Sequence, residues 1–300
     1  MEANESPMRT IVYYLTLPFL YLLSYLPFRA MYLISDLSYL LVYRVLGYRK
    51  TVVTQNLKNA FPEKSAGEIS KIRADFYRYF CDLSLETIKT LSISPSTLRK
   101  HFTHGDLSVL ERYYKEQQSV ILVMGHIGNW ELGGAYFSTL PLHQPYGIYH
   151  PLKNPHFDKL MIKMRTRLGA GTYTMKDTFR GMLKNRHKLT ATTFIADQTA
   201  SPDDAYWMTF LNQDTAVFKG TELIARKMDY PVIYISVIRE ARGKYKLCCE
   251  LLVEHPKQLA ENELTEIHTR RLQQDIIKHP ATWLWSHRRW KHKRPKGLRQ

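Results

Sequence analysis

Four short runs of β-branched and aliphatic residues, with helix-patterned segments between them, constrain the fold more than any other feature of this chain. They are Ser-Val-Ile-Leu-Val-Met at 119–124, Leu-Thr-Ala-Thr-Thr-Phe-Ile-Ala at 189–196, Pro-Val-Ile-Tyr-Ile-Ser-Val-Ile at 231–238, and 245–253 after a turn expected at 241–244. Continuous β-prone runs of that length read as strands buried on both faces. Over 67–91, Ile69, Ile72, Phe76, Tyr79, Phe80, Leu83 and Ile88 recur at threes and fours, which is helical spacing. Further helices are expected at 107–114, 157–167, 179–185, 219–228 and 264–278. The alternation predicts an α/β fold, a mixed central sheet flanked by helices. Ligand-contacting residues of such sheets gather just beyond the strand ends, and His126 and Asp197 both stand directly after predicted strands.

Ahead of this body lies a different kind of sequence. Residues 11–28 carry no charge and are rich in Leu and Tyr; a second, mostly apolar run covers 30–43, broken only by Asp36. The first run has the length at which a helix begins to span a bilayer, about 17–25 residues. It has no small-residue cleavage site after it, which argues against a removed signal peptide. Either 11–28 crosses the membrane once, or both runs lie in the interface with their tyrosines at headgroup depth. Pro18 and Pro27 interrupt the helix and favour a kinked or partly embedded segment. The division expected is therefore a hydrophobic, membrane-associated helical segment at 1–48 and a larger α/β domain with a basic tail at 49–300.

Charge narrows the partners. Lys and Arg number 43 against 27 Asp and Glu, a formal charge of +16. Such a surface draws nucleic acid, anionic lipid or an acidic protein; the uncharged start favours lipid, because nucleic-acid binding does not require it. Cys81, Cys248 and Cys249 have no zinc-site or disulfide spacing and read as reduced packing residues.

The chemistry concentrates in Gly125-His126-Ile127-Gly128-Asn129-Trp130-Glu131, directly after the first buried run. A neutral imidazole takes a proton from a hydroxyl near pH 7. Glu131, five residues on, reaches the other ring nitrogen if the chain turns between them, fixing the tautomer and stabilising the imidazolium. Gly128 allows a tight turn and close approach of substrate, Asn129 holds the turn or touches substrate, and backbone N–H groups there can stabilise an oxyanion. No Gly-x-Ser-x-Gly accompanies the pair, and His126-x4-Glu131 lacks the His-Glu-x-x-His pattern of a metal site. Direct attack of a deprotonated acceptor on a thioester, with no covalent acyl-enzyme, no metal and no cofactor, is the economical mechanism.

These residues resemble the lysophospholipid acyltransferase superfamily, and more closely the lipid A late acyltransferases (the lauroyl/myristoyl transferase family), over nearly the whole chain. Gln55-Asn56-Leu57-Lys58-Asn59-Ala60-Phe61-Pro62, Gly125–Glu131, Ala196-Asp197-Gln198, Phe218-Lys219-Gly220 and Trp283-Leu284-Trp285-Ser286-His287-Arg288-Arg289-Trp290-Lys291 carry the similarity. The resemblance implies catalysis by His126 and Glu131, with substrate contacts from Gly128, Asn129, Arg165, Lys176, Asp197, Gln198, Arg288 and Arg289. Lys176 stands where some members have an arginine, so it offers a point charge in place of a bidentate fork. It further implies acyl carrier protein bearing a fatty acyl thioester as donor, with acyl-coenzyme A as a substitute. The acceptor would be a lipid such as a lipid A precursor, or an amino-acid lipid or glycolipid. The expected place is the cytoplasmic side of a bacterial inner membrane.

The basic run from His287 to Lys296, with Trp290 inside it, suits lipid or donor phosphate better than a solvated end, and nucleic acid least. Asp197 is expected to orient Arg288 or Arg289, to contact substrate, or simply to cap. Most arginines like Arg165 and Arg167 are simply exposed. Two rival functions remain: a hydrolase using the same pair on water, and a basic membrane or nucleic-acid binding protein without chemistry.

Overall fold

The structure, a computed structural model, describes residues 7–295; Lys296 of the basic run lies outside them. Among the described residues the strands are β1 (Phe102–His104), β2 (Val120–Met124), β3 (Gln144–Tyr149), β4 (Gly171–Thr174), β5 (Thr190–Ile195), β6 (Tyr206–Phe210), β7 (Gln213–Val217), β8 (Val232–Ala241) and β9 (Lys244–Val253). The helices are α1 (Pro7–Tyr25), α2 (Phe28–Tyr39), α3 (Lys50–Ala60), α4 (Ala66–Lys89), α5 (Pro95–His101), α6 (Ser108–Lys115), α7 (Trp130–Phe137), α8 (Pro155–Thr166), α9 (Thr178–Lys184), α10 (Gly220–Met228) and α11 (Glu263–Lys278).

Seven strands form one mixed, mostly parallel sheet in the order β1-β9-β8-β2-β5-β3-β4. β8, β2, β5, β3 and β4 run the same way, while β9 returns antiparallel to β8 and carries β1 parallel to itself. The reason β2 sits near the middle is visible in its residues. Leu122 and Met124 pack with Leu132, Tyr136 and Phe137 of α7 on one face, and Ile121 and Val123 with Ala225 of α10 and Leu264 of α11 on the other. All five residues of β2 are buried, and each aliphatic side chain so buried contributes roughly 1.5–3 kcal/mol. The end of β2 is therefore a firm platform.

The four expected strands form within a few residues of their expected bounds. β3 and β4 were not foreseen: Gln-Pro-Tyr-Gly-Ile-Tyr and Gly-Thr-Tyr-Thr carry the Pro and Gly that signal loops. The β6–β7 hairpin turns at Leu211 and Asn212, both at positive φ.

The expected 11–28 run divides at Pro27. α1 precedes it, α2 follows it, and Lys89 Nζ grips the corner by donating to the carbonyls of Ser24 (2.7 Å) and Leu26 (2.6 Å). Leu17, Leu20 and Tyr21 of α1 pack on Leu160 and Met164 of α8. The opposite faces are bare: among the described residues, 15 of the 22 exposed large hydrophobic residues lie between Met8 and Tyr48. No single helix among the described residues is long and apolar enough to cross a membrane; the bent pair Phe28–Val45 and Lys50–Ala60, meeting at 86°, passes that test only when taken together.

Candidate active site

Parallel pairing sets Met124 opposite Ile195. Two residues further along each strand, His126 and Asp197 leave the same end of the sheet, so side chains 71 positions apart meet. His126 Nδ1 donates to Asp197 Oδ1 at 2.5 Å. Asp197 Oδ2 accepts the His126 backbone N–H at 2.7 Å and Trp283 Nε1–H at 2.7 Å. Burial works against the Asp197 charge, but the imidazole and these three hydrogen bonds outweigh it and pull the carboxyl down to about 2. An ionised acceptor at Nδ1 puts the ring proton there, and Nε2 keeps its lone pair.

The turn that presents His126 is braced from two sides. Gly128 N donates to Thr282 O (3.0 Å) and Leu284 N to His126 O (3.1 Å), so the segment before the basic tail lies along it. Tyr79 Oη of α4 donates to Gly128 O at 2.5 Å. Gly128 is at φ +60°, and a Cβ there would lie 1.8 Å from Val237 O; only glycine fits. The turn then runs into α7, whose first turn Asn129 caps by accepting Leu132 N–H at 2.9 Å.

Glu131, on that first turn, does not take a nitrogen of His126. Its oxygens are held by Arg165 of α8, Nε to Oε2 at 3.1 Å and Nη2 to Oε1 at 2.5 Å. The expected His126–Glu131 hydrogen bond is thus replaced by two pairs, His126 with Asp197 and Glu131 with Arg165. The helical rise after Asn129 points Glu131 toward α8, while the sheet register delivers Asp197 to the ring.

His126, Glu131 and Arg165 line one cavity of about 830 Å³, with Asp197 behind the ring. Its walls include Leu122 and Met124 of β2, Ile235 and Val237 of β8, Leu247 of β9 and Phe137 of α7, with His126, Glu131, Arg165, Gln198, His287 and Lys291 as polar lining. An apolar hollow with a few convergent polar groups can take a hydrocarbon chain and hold a polar junction at its rim.

Residues 3–292 match the family model described as "Bacterial lipid A biosynthesis acyltransferase". The chain belongs to this family, and it is an acyltransferase. It is 26% identical over 255 residues to the lipid A biosynthesis palmitoleoyltransferase of Escherichia coli (strain K12), covering 83% of this chain and 80% of that protein. The same values relate it to a lipid A biosynthesis acyltransferase of Shigella flexneri. A Haemophilus influenzae enzyme of that description is 26% identical over 248 residues, 81% of this chain and 78% of its own.

The remaining expected residues of the acyltransferase divide by position. Gln198 lines the cavity, its Nε2 3.3 Å from His126 Nε2, where a reacting hydroxyl would have to sit. Gly128 and Asn129 do not line it: Asn129 is fully buried, and both shape the turn. Lys176 stands exposed on the turn between β4 and α9, away from the cavity, which its neighbour Met175 reaches instead. Arg165 lines the cavity with its fork committed to Glu131. Arg288 is exposed and outside the cavity.

Arg289 is buried beside a small void behind Asp197, lined also by His268, and its Nε and Nη1 find no partner among the described residues. Burial lowers the Arg289 guanidinium to about 10 against the pull of Asp197. Asp197 therefore orients His126, not either arginine. Sequence reasoning did not assign His287 and Lys291 to the cavity, nor Trp283 to Asp197; the Trp-x-His-Arg-Arg run from Trp285 to Arg289 was the available signal. Cys81 is packed in the core, and burial raises its thiol to about 11, which disfavours the thiolate at that residue.

Proposed function

We propose that this acyltransferase moves a fatty acyl group from a thioester donor, acyl carrier protein or acyl-coenzyme A, to a hydroxyl of a lipid A-type acceptor at a membrane surface. His126 serves as the general base. The observation that carries this reading is the His126 ring, with Nδ1 tied to buried Asp197 and Nε2 turned to the large apolar cavity.

In the reaction, Nε2 takes the acceptor O–H proton as the oxygen attacks the thioester carbonyl. The C–O bond forms, the C–S bond breaks, and the imidazolium returns the proton to the departing sulfur. Asp197 stabilises the transient imidazolium. The Glu131–Arg165 pair stiffens the cavity rim between α7 and α8. The net charge of +16 suits an acidic carrier protein and an anionic bilayer, and the bare apolar faces of α1 and α2 suit interfacial attachment.

The test is transfer of labelled acyl groups by the purified full chain in lipid vesicles, from acyl carrier protein to a lipid acceptor. His126→Ala is expected to abolish transfer while vesicle binding persists; undiminished transfer by the variant overturns the assignment. Release of free fatty acid without acylated lipid would instead mark a hydrolase.

A further inference from the structure

Helix α4 carries two buried carboxylates, Asp82 and Glu86, that take no part in the acyl-transfer chemistry. Asp82 accepts from Ser35 Oγ of α2 at 2.6 Å and pairs with Arg239 and Arg242 of the β8–β9 hairpin, fastening α2 to that hairpin. Glu86, one turn on and without solvent exposure, gathers three donors from three elements. Its Oε2 accepts Asn129 Nδ2–H at 2.6 Å and the Tyr245 hydroxyl of β9 at 2.6 Å; its Oε1 accepts the Tyr32 hydroxyl of α2 at 2.7 Å.

Asn129 has no alternative. It is fully buried, and its Oδ1 is spent on the α7 cap, so its amide N–H groups must be answered from within the protein. A buried donor left unanswered carries the full desolvation penalty of that group, enough to shift a turn held otherwise by single hydrogen bonds. What moves with Asn129 is the start of α7, which carries Glu131 five residues from His126. Tyr32 lies on the same helix as Leu33 and Leu37, whose side chains are exposed.

We propose that Glu86 is a positioning residue: it fixes Asn129, and with it the catalytic turn and the first turn of α7, and through Tyr32 it ties that placement to the seating of α2. This rests on the reading of His126 as the base.

The test exchanges the polarity of one hydrogen bond in the full chain. Asn129→Asp keeps the α7 cap but sets a second carboxylate against Glu86. It is expected to lower kcat about 10- to 100-fold, with KM for the thioester donor within about twofold, and to lower Tm. Glu86→Gln added to Asn129→Asp lets the new amide donate to the new carboxylate; kcat is expected to return to within about threefold of the parent and Tm to recover in part, because the buried Tyr245 hydroxyl loses the acceptor it has in Glu86. Tyr32→Phe is expected to lower kcat severalfold at unchanged KM. The downfield NMR proton of the His126–Asp197 hydrogen bond should shift in Asn129→Asp and return in the double variant. A double variant no better than Asn129→Asp in Tm, kcat and this resonance overturns the role of Glu86, and a Tyr32→Phe enzyme with parental kcat overturns the link to α2. If the parent chain transfers no acyl group, the base assignment fails, while Tm and the resonance still decide the role of Glu86.

Discussion

At the scale of residues, the site turns on how one carboxylate is satisfied. Asp197 Oδ1 takes the imidazole N–H, and Oδ2 takes two further donors. Asn at this position cannot serve all three. Set with its oxygen toward His126, it brings an amide NH₂ against two N–H groups; turned round, it presents NH₂ to Nδ1 and forces the proton onto Nε2, where a base needs its lone pair. Asp197→Asn is therefore expected to lower kcat about 10³-fold or more with little change in donor KM, a magnitude taken from other His–Asp pairs. Steady-state transfer kinetics check it, and a variant retaining a tenth of the parental kcat would show that the ring does not depend on Asp197.

At the scale of elements, three glycines around α7 make opposite demands. A Cβ on Gly128 would lie 1.8 Å from Val237 O, one on Gly133 would lie 2.8 Å from Val237 Cγ2, and one on Gly134 would meet nothing within 4 Å. Gly134 lines the cavity. Alanine at Gly134 is expected to leave Tm unchanged or raised, since helix propensity gains up to about 1 kcal/mol, while transfer from the longest acyl donors drops relative to shorter ones. Gly133→Ala should lower Tm, and Gly128→Ala should lower it further or prevent folding. Thermal melts and a donor chain-length series test the order; a Gly134→Ala enzyme with an unchanged chain-length profile would remove this stretch of wall from the acyl path.

The same elements show what a sequence discloses. The runs forming β2, β5, β8 and β9 were legible because a strand buried on both faces needs unbroken β-prone residues. β3, with Pro145 and Gly147, and the brief β4 were not, because their pairing is supplied by neighbours. His126 and Asp197 could each be placed past a strand end. Their meeting could not, because it requires β5 to lie beside β2, and local spacing pointed instead to Glu131. The partner that Glu131 does take, Arg165, comes from a helix whose packing no local pattern records.

At the scale of the whole molecule, stability and attachment respond to conditions in ways the burial pattern sets. Burial holds His268 and the more exposed His287 down at about 4. Unfolded histidines take up protons below about 6.5, so between about 6.5 and 4 the unfolded chain binds more protons and stability falls as pH falls. For His268 the slope approaches about 1.4 kcal/mol per pH unit, with His287 adding less because solvent screens it. Denaturant melts across this range should show the loss, and His268→Gln should flatten it; identical slopes would contradict a neutral buried His268. The proposed membrane attachment rests on the outward side chains of α1, among them Leu15 and Phe19, each more than 60% exposed. Neither belongs to the apolar contact of α1 with α8, which Leu17, Leu20 and Tyr21 make. Leu15→Glu with Phe19→Glu should therefore leave Tm nearly unchanged yet release the protein from anionic vesicles in flotation. High salt alone should weaken the parent only partly, because apolar burial persists when charges are screened. Full release of the parent by salt would assign attachment to the basic surface and leave the bare faces of α1 and α2 without that role.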